Sequence, residues 1–519
     1  MTGASNTADP TMSTETRTAA WASEAARHVT TKRTEDSMLE YDSLLFIGGK
    51  LAATASTSVI EIHSAATEEL IGRTPEASPA DVDAAVGAAR RAFDDPKGWS
   101  TWEPRARARV LEQFATELEA RADEITRRVS QQNGMPITTA AMLESALPAT
   151  VFRYYADLVR ITDVEETRHG LLGGRAQVRR TPLGVVAAIV PWNYPNLVTA
   201  FKMAPALAAG CTVVLKPSPE TVLDSYVMAE AAQSAGIPDG VINIVPGGAS
   251  TGSYLVSHPG VDKVTFTGST AVGRQIAATC GDLLRPVTLE LGGKSAAIIL
   301  DDADLMSNLE GLFQIALLNN GQTCVANGRI LVPRSRYEET LDVLCALVSG
   351  ASVGDPLDPQ TQIGPLVSAR HRARVEGYIA KGVEEGARLV TGGGRPRELA
   401  KGWFVEPTLF ADVGPESTIA QEEIFGPVLA VIPYDDVDDA VRIANNTKYG
   451  LAGTIWTSDE KRGEELSRRV RSGTVGINYF MLDPVAPFGG IKASGLGREL
   501  GPEGLDACLQ TQSVYFATT

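Results

Sequence analysis

From about Leu44 onward the chain alternates short apolar runs with amphipathic stretches, while the segment before it does neither. Asp81 to Phe93 spaces its apolar residues with a helical period, and Arg105 to Arg128 reads as a second helix. The clearest rhythm follows. Val185–Val190 is a continuous apolar run, as suits a strand covered on both faces. Next come a helical segment near Leu197–Ala209, a strand Thr212–Lys216 and a helix from Thr221 to Ala235. Strands at Val241–Val245 and Lys263–Thr267 and a helix opening at Thr270 continue the alternation, which predicts βαβ units around a parallel sheet. A second α/β stretch starts near Glu290, with a strand over Ser295–Leu300, a helix over Leu305–Asn319 and a strand over Arg329–Val332, and runs to about Gly490. No internal repeat and no long linker interrupts it, so domain boundaries are expected in short loops.

Length and charge narrow the class. At 519 residues the chain exceeds one ordinary core, so two or three domains are expected. A net charge of −16 argues against nucleic acid and anionic membrane as partners, since either needs a basic face. Arg105, Arg107 and Arg109 cluster, which reads as one solvated helix face. No stretch approaches the roughly 18 to 20 apolar residues that span a bilayer. Residues 1–40 are rich in Ala, Ser and Thr with acidic residues mixed in, a pattern of neither secretory signal nor transit peptide, and read as a disordered tail in which Met38 is an alternative start. Five scattered cysteines without a CxxC fit a reducing, cytoplasmic setting with no disulfide framework. Cys211 and Cys345 lie in apolar runs and read as core. The five histidines (His28, His63, His169, His258, His371) show no ligand spacing, so no metal is expected.

Seven motifs carry candidate chemistry. Cys324 sits in Gly321-Gln322-Thr323-Cys324, among polar neighbours, and Glu290 opens Glu290-Leu291-Gly292-Gly293-Lys294 at the end of a strand that looks buried. A thiol to hold a carbonyl carbon and a carboxylate to activate water are what covalent aldehyde oxidation requires. Burying an unpaired carboxylate is costly, and burial would raise its pKa toward that of a useful base. Phe266-Thr267-Gly268-Ser269-Thr270-Ala271-Val272-Gly273 places Gly and small hydroxyls between a strand and a helix, where backbone N–H groups can meet a pyrophosphate or simply make a tight turn. The GxGxxG fingerprint is absent. Pro191-Trp192-Asn193-Tyr194-Pro195 puts an amide at a strand's carboxyl end, either for a ligand or to satisfy a turn. Lys216-Pro217-Ser218-Pro219-Glu220, Glu422-Glu423-Ile424-Phe425-Gly426-Pro427-Val428 and Pro487-Phe488-Gly489-Gly490-Ile491-Lys492-Ala493-Ser494-Gly495 complete the set.

In this order and spacing the motifs resemble those of the NAD(P)-dependent aldehyde dehydrogenase superfamily, in its hydrolytic, non-CoA-acylating branch, from about residue 45 to the C-terminus. The resemblance implies an α/β fold with a Rossmann-type nucleotide domain (41–158 and 179–289), a second α/β catalytic domain (290–490) and a β oligomerisation arm (159–178 and 505–519). It implies Cys324 as nucleophile, Glu290 as base, Asn193 with the Cys324 N–H as oxyanion hole, and Lys202 in support. Val190, Pro191, Trp192, Lys216, Ser218, Gly247, Phe266, Thr267, Gly268, Ser269, Gly273, Leu291, Glu423 and Phe425 would contact the cofactor, NAD with NADP possible. Pro219 stands where the family often has the ribose-binding Glu, with the carboxylate displaced to Glu220. Tyr194, Met203, Thr323, Val325, Tyr479, Phe480, Met481 and Phe488 would line the substrate site; the set is apolar and aromatic, which points to neutral, hydrophobic aldehydes over semialdehyde acids. An exposed arm strand needs a partner, so a homodimer or homotetramer is expected. Two rivals remain at this point: a CoA-acylating semialdehyde dehydrogenase, whose members typically lack the hydrolytic Glu, and a non-catalytic binding protein on the same fold.

Overall fold

The computed structural model describes residues 39–41, 44–54 and 56–517. Five parallel strands form the heart of one sheet, in the spatial order Val287–Glu290, Lys263–Thr267, Val185–Ile189, Thr212–Lys216, Ile242–Ile244. Chain order runs outward in both directions from Val185–Ile189. The connections therefore diverge between that strand and Lys263–Thr267, which opens a crevice at their carboxyl ends, where sheets of this kind take ligands. Every residue of Val185–Ile189 and of Thr212–Lys216 is buried. Covered faces on both sides explain why these strands read as unbroken apolar runs rather than as alternating ones.

The helix Pro195–Ala209 is buried on all sides, which suits its nearly uninterrupted apolar sequence. It lies between the sheet and the helices Pro104–Glu119 and Leu147–Ile161, where Phe114 and Phe152 meet edge to face at 4.8 Å. It ends at Gly210, whose φ of 99° supplies the left-handed turn that stops a helix.

A second sheet has seven strands in the order Arg388–Thr391, Thr408–Ala411, Val428–Tyr434, Arg329–Pro333, Ala296–Ile299, Gly453–Trp456, Gly476–Ile477, parallel except for the first pair. Only residues 291–295 separate Val287–Glu290 of the first sheet from Ala296–Ile299 of the second. Away from both, Leu509–Phe516 pairs antiparallel with Arg175–Pro182, which pairs with Glu165–His169. No residue of those three strands is fully buried. Leu171 and Leu172 stand fully exposed in the turn between two of them.

Three expectations change. The helix expected over Arg105–Arg128 is two, Pro104–Glu119 and Ala122–Asn133, broken where Arg121 leaves helical geometry at φ −110°, ψ 15°. Arg107 does not share the solvated face of Arg105 and Arg109: it is buried, with its guanidinium donating to the carbonyls of Ala208 (3.0 Å) and Trp102. Leu39–Glu40, at the end of the segment expected as a tail, pair with Leu70–Pro75, and the rest of that segment lies outside the described residues.

Candidate active site

The Cys324 loop is held by buried amides. After the helix Leu305–Leu317, Asn319 and Asn320 adopt φ of 51° and 61°, a left-handed conformation Asn tolerates better than most residues. Asn319 Nδ2 donates to the Asn193 carbonyl at 2.9 Å. Asn320 Nδ2 donates to Gly134 O and Pro365 O, and its Oδ1 accepts the Gly364 N–H at 2.7 Å. Gln322 Oε1 accepts the Val367 N–H at 2.9 Å. The loop is thereby fixed before it reaches Cys324, which is half-buried, with its thiol pushed up to about 12, first by burial and then by the negative charges of Glu423 and Glu290.

Asn193 is buried and its Nδ2 donates to the Gln322 carbonyl at 2.9 Å, two residues before Cys324. A side-chain amide carries two N–H groups, so one aligns the side chain with the cysteine loop while the other can serve an oxygen bound there. Its backbone carbonyl accepts from both Asn319 and Asn133 Nδ2 (3.0 Å), and Asn133 also holds Trp192 O at 2.7 Å. Asn133, Asn319, Asn320 and Gln322 were not among the residues expected in the site. The run Asn319-Asn320-Gly321-Gln322 carries their signal; Asn133 has none, because its partners lie about sixty positions away.

Glu290 ends its strand buried at 3% exposure, and neither carboxyl oxygen has a hydrogen-bond partner. Burial, and secondarily the charge of Glu499, push its pKa well above the ordinary carboxylate range. A buried, unpartnered carboxyl is expensive to keep, which makes it a candidate functional group. The glycines beside it make the room. A Cβ on Gly489 would lie 2.6 Å from Glu290 Oε1, one on Gly292 2.5 Å from Glu423 Oε2, and one on Gly293 2.3 Å from the Cys324 carbonyl. Lys202, also buried, bonds Thr267 Oγ1 at 2.7 Å and Glu499 Oε1 at 2.5 Å. Its charge is thus matched by Glu499 rather than by Glu290.

At the crevice, Val190–Trp192 follow one strand, and Gly268 and Ser269 follow its neighbour. Ser269 caps the helix Thr270–Asp282 by accepting from Val272 N, and that helix start is pressed close: a Cβ on Gly268 would meet the Phe266 ring at 2.5 Å, one on Gly273 would meet Leu291 at 2.4 Å. The orphaned N–H groups there suit a phosphate. Lys216 is buried, its Nζ donating to Pro217 O (2.8 Å) and Gly247 O (2.5 Å), and burial lowers it to about 8. Ser218 Oγ donates to Glu220 Oε2 at 2.6 Å, so a carboxylate stands beside Lys216 and Ser218 despite Pro219. This set of basic, hydroxyl and acidic groups, together with the tight helix start, fits an adenosine ribose and pyrophosphate. Trp192, Phe425 and His371 pack edge to face, with Trp192–Phe425 centroids 5.3 Å apart and His371 Nε2 on the Phe425 carbonyl. Burial lowers His371 to about 4, so it is neutral wall rather than charge. Glu423 Oε1 accepts the Gly293 N–H at 2.8 Å, and burial raises it to about 7.

Of the residues expected around the substrate, Tyr194 and Thr323 bond each other through their hydroxyls at 2.7 Å, and Val325 is buried next to Cys324. Phe488 is buried against Phe201 at 6.4 Å between centroids, and Met203 is wholly buried in the core. Tyr479 and Met481 are exposed with Phe480 half-buried between them, on the segment following Gly476–Ile477.

Comparison with known proteins follows the same lines. The sequence profile of the Aldehyde dehydrogenase family matches residues 52–514. Geranial dehydrogenase of Castellaniella defragrans is 54% identical over 471 residues, covering 91% of this chain and 98% of that protein. The crystal structure of a Mycobacterium tuberculosis aldehyde dehydrogenase complexed with NAD+ matches with a TM-score of 0.91 at 49% identity, covering 93% of this chain and 99% of that one. Aldehyde dehydrogenase C of Pseudomonas syringae, a cysteine-to-alanine mutant with NAD+ and octanal, matches at a TM-score of 0.88 and 37% identity, covering 94% and 98%.

The closeness of Gly293 to the Cys324 carbonyl has a direct consequence. Gly293→Ala is expected to displace the loop and slow alkylation of Cys324 by iodoacetamide by about tenfold or more, since small misplacements of a reacting group cost that much. Gly281→Ala, where a Cβ meets nothing within 4 Å, leaves the rate unchanged. Equal rates in the two variants would contradict the packing argument.

Proposed function

The chain belongs to the aldehyde dehydrogenase family, and we propose that it oxidises a neutral, hydrophobic aldehyde to the carboxylic acid, with NAD in preference to NADP. The observation that carries this reading is the buried, partnerless Glu290 beside a cysteine loop on which Asn193 is already aligned. In this mechanism Cys324, once deprotonated, bonds to the carbonyl carbon. The oxygen takes the negative charge and is held by Asn193 Nδ2 and the Cys324 N–H, fixed donors of the kind that stabilise developing oxyanions. Lys216, Ser218, Glu220, Ser269 and Glu423 would hold NAD, which when bound would accept the hydride that leaves the former carbonyl carbon as the thioester forms. The resulting thioester on Cys324 is hydrolysed by water whose proton Glu290 takes, which releases the acid and restores the thiol. The presence of Glu290 favours water over CoA as acyl acceptor.

Substrate class rests on Tyr194, which bonds Thr323 next to Cys324, on buried Val325, on the apolar and aromatic character of the other expected substrate residues, and on the relative named geranial dehydrogenase, geranial being a terpenoid aldehyde. The same reading assigns the first sheet to the cofactor, the second to the thiol, and the exposed strands Glu165–His169, Arg175–Pro182 and Leu509–Phe516 to homo-oligomer assembly. The five free cysteines favour a cytoplasmic setting. No helix among the described residues is long and apolar enough to cross a membrane.

NADH formation with geranial and octanal, exceeding that with succinic semialdehyde and abolished by Cys324→Ala, is the expected result; comparable turnover of all three would remove the basis for the substrate class. The cofactor reading has its own test. Glu220 would repel a 2′-phosphate, so Glu220→Ala is expected to shift the NADP-to-NAD ratio of kcat/KM toward NADP by about tenfold, an order set by the loss of one charge contact. An unchanged ratio would contradict that role.

A further inference from the structure

Beneath the oxyanion amide lies a buried carboxyl that the mechanism above does not use. Ala141–Ala146 form a π-helical turn, a rare geometry that recurs at functional sites. Glu144 on this turn is wholly buried, and its Oε2 accepts the Asn196 N–H at 2.7 Å. Asn196 is the second residue of the helix Pro195–Ala209, whose first turn leaves backbone donors without intrahelical partners, and Tyr194 at the N-cap position offers them no side-chain acceptor. Glu144 therefore does from another element what Ser or Asp does at an ordinary N-cap. Burial is the main force pushing it above the ordinary carboxylate range, with buried Asp224 nearby adding to it. A neutral acid suffices as an acceptor. Three residues before Asn196 stands Asn193, whose carbonyl is pinned by Asn133 and Asn319 and whose amide is tied to Gln322. Asn133 and the cysteine loop hold Asn193 on one side; the Glu144–Asn196 bond holds the segment on the other.

We propose that Glu144 is a positioning residue: by holding the Asn196 N–H it sets where the Asn193 amide stands relative to an oxygen bound at Cys324. The inference rests on the aldehyde-oxidation reading above. It requires an acceptor at position 144, not a charge, so Glu144→Gln should replace the wild-type residue and Glu144→Met, of similar volume, should not. Removal of an oxyanion donor costs about 10²–10³ in rate, and displacing one should cost part of that.

The test is a rapid-mixing measurement of the first turnover of NADH, beside iodoacetamide alkylation of Cys324 and KM for NAD+. Glu144→Met is expected to slow the first turnover by about tenfold or more, with alkylation rate and KM for NAD+ unchanged and with Glu144→Gln within about twofold of wild type. Glu144→Asp, which withdraws the acceptor by one methylene while keeping the acid, should fall between the two and gives a reading if Glu144→Met does not fold. A wild-type first turnover in Glu144→Met overturns the proposal, as does Glu144→Gln being as slow as Glu144→Met, or alkylation falling in step with turnover. Absence of NADH formation in the wild type with any aldehyde would instead sink the aldehyde-oxidation reading itself.

Discussion

The site depends on one close passage of backbone. Between the first sheet and the second, Gly292 and Gly293 pass the Glu423 carboxyl and the Cys324 carbonyl; a Cβ at Gly293 would run into backbone, and one at Gly292 would displace the Glu423 carboxyl. The strand before the passage ends in Glu290; the loop beyond it carries Cys324. The passage thereby ties the end of the first sheet, with Glu290, to the loop of the second that carries Cys324, near enough that the Glu290 carboxyl raises the pKa of the Cys324 thiol. The Glu423 bond to Gly293 N and the Ser494 Oγ bond to Gly292 O (2.6 Å) fix the passage from both directions.

Around this passage the protein treats its buried charges unequally. Lys202 and Glu499 neutralise each other, Lys216 is satisfied by two carbonyls, and the buried Arg329 donates to three. Glu290 alone of these is left without a partner. In a low-dielectric interior an unpartnered carboxyl remains protonated to higher pH, the condition a base needs if it is to release and recover a proton near neutrality. Fixed amides hold Asn193 and the Cys324 loop in place, so the proposed mechanism would need little reorganisation as negative charge develops on the substrate oxygen.

What the sequence disclosed and what it hid follow from the range of the interactions. Thr212–Lys216 and Lys263–Thr267 fall where the apolar runs put them, because strands buried on both faces write their burial locally. The helix break near Ala120–Arg121 has no glycine or proline to announce it, so the two helices read as one. Arg107 looked solvated because its partner, the Ala208 carbonyl, is about a hundred positions away. His371, Asn133, Glu144 and Glu499 were invisible for the same reason: their places depend on distant backbone, not on neighbours in sequence. Cys324 and Glu290 stand out because glycine or amide residues cluster beside them, and a Cβ at Gly293 or Gly321 would meet backbone; Asn193 stands out because two prolines frame it at a strand's carboxyl end.

The central claim is that Glu290 serves hydrolysis and not attack. It is tested most directly by following NADH through the first and later turnovers of Glu290→Gln and wild type across pH. Because burial favours its protonated form, Glu290 becomes a base only as pH rises through a value well above the ordinary carboxylate range. The steady rate of the wild type should therefore climb through that window, and Glu290→Gln should give a burst of about one NADH per active site followed by a steady rate lower by about a hundredfold or more and without that climb, as expected for loss of a general base. Loss of the burst itself, or a steady rate in Glu290→Gln that keeps the wild-type pH dependence, would contradict the account.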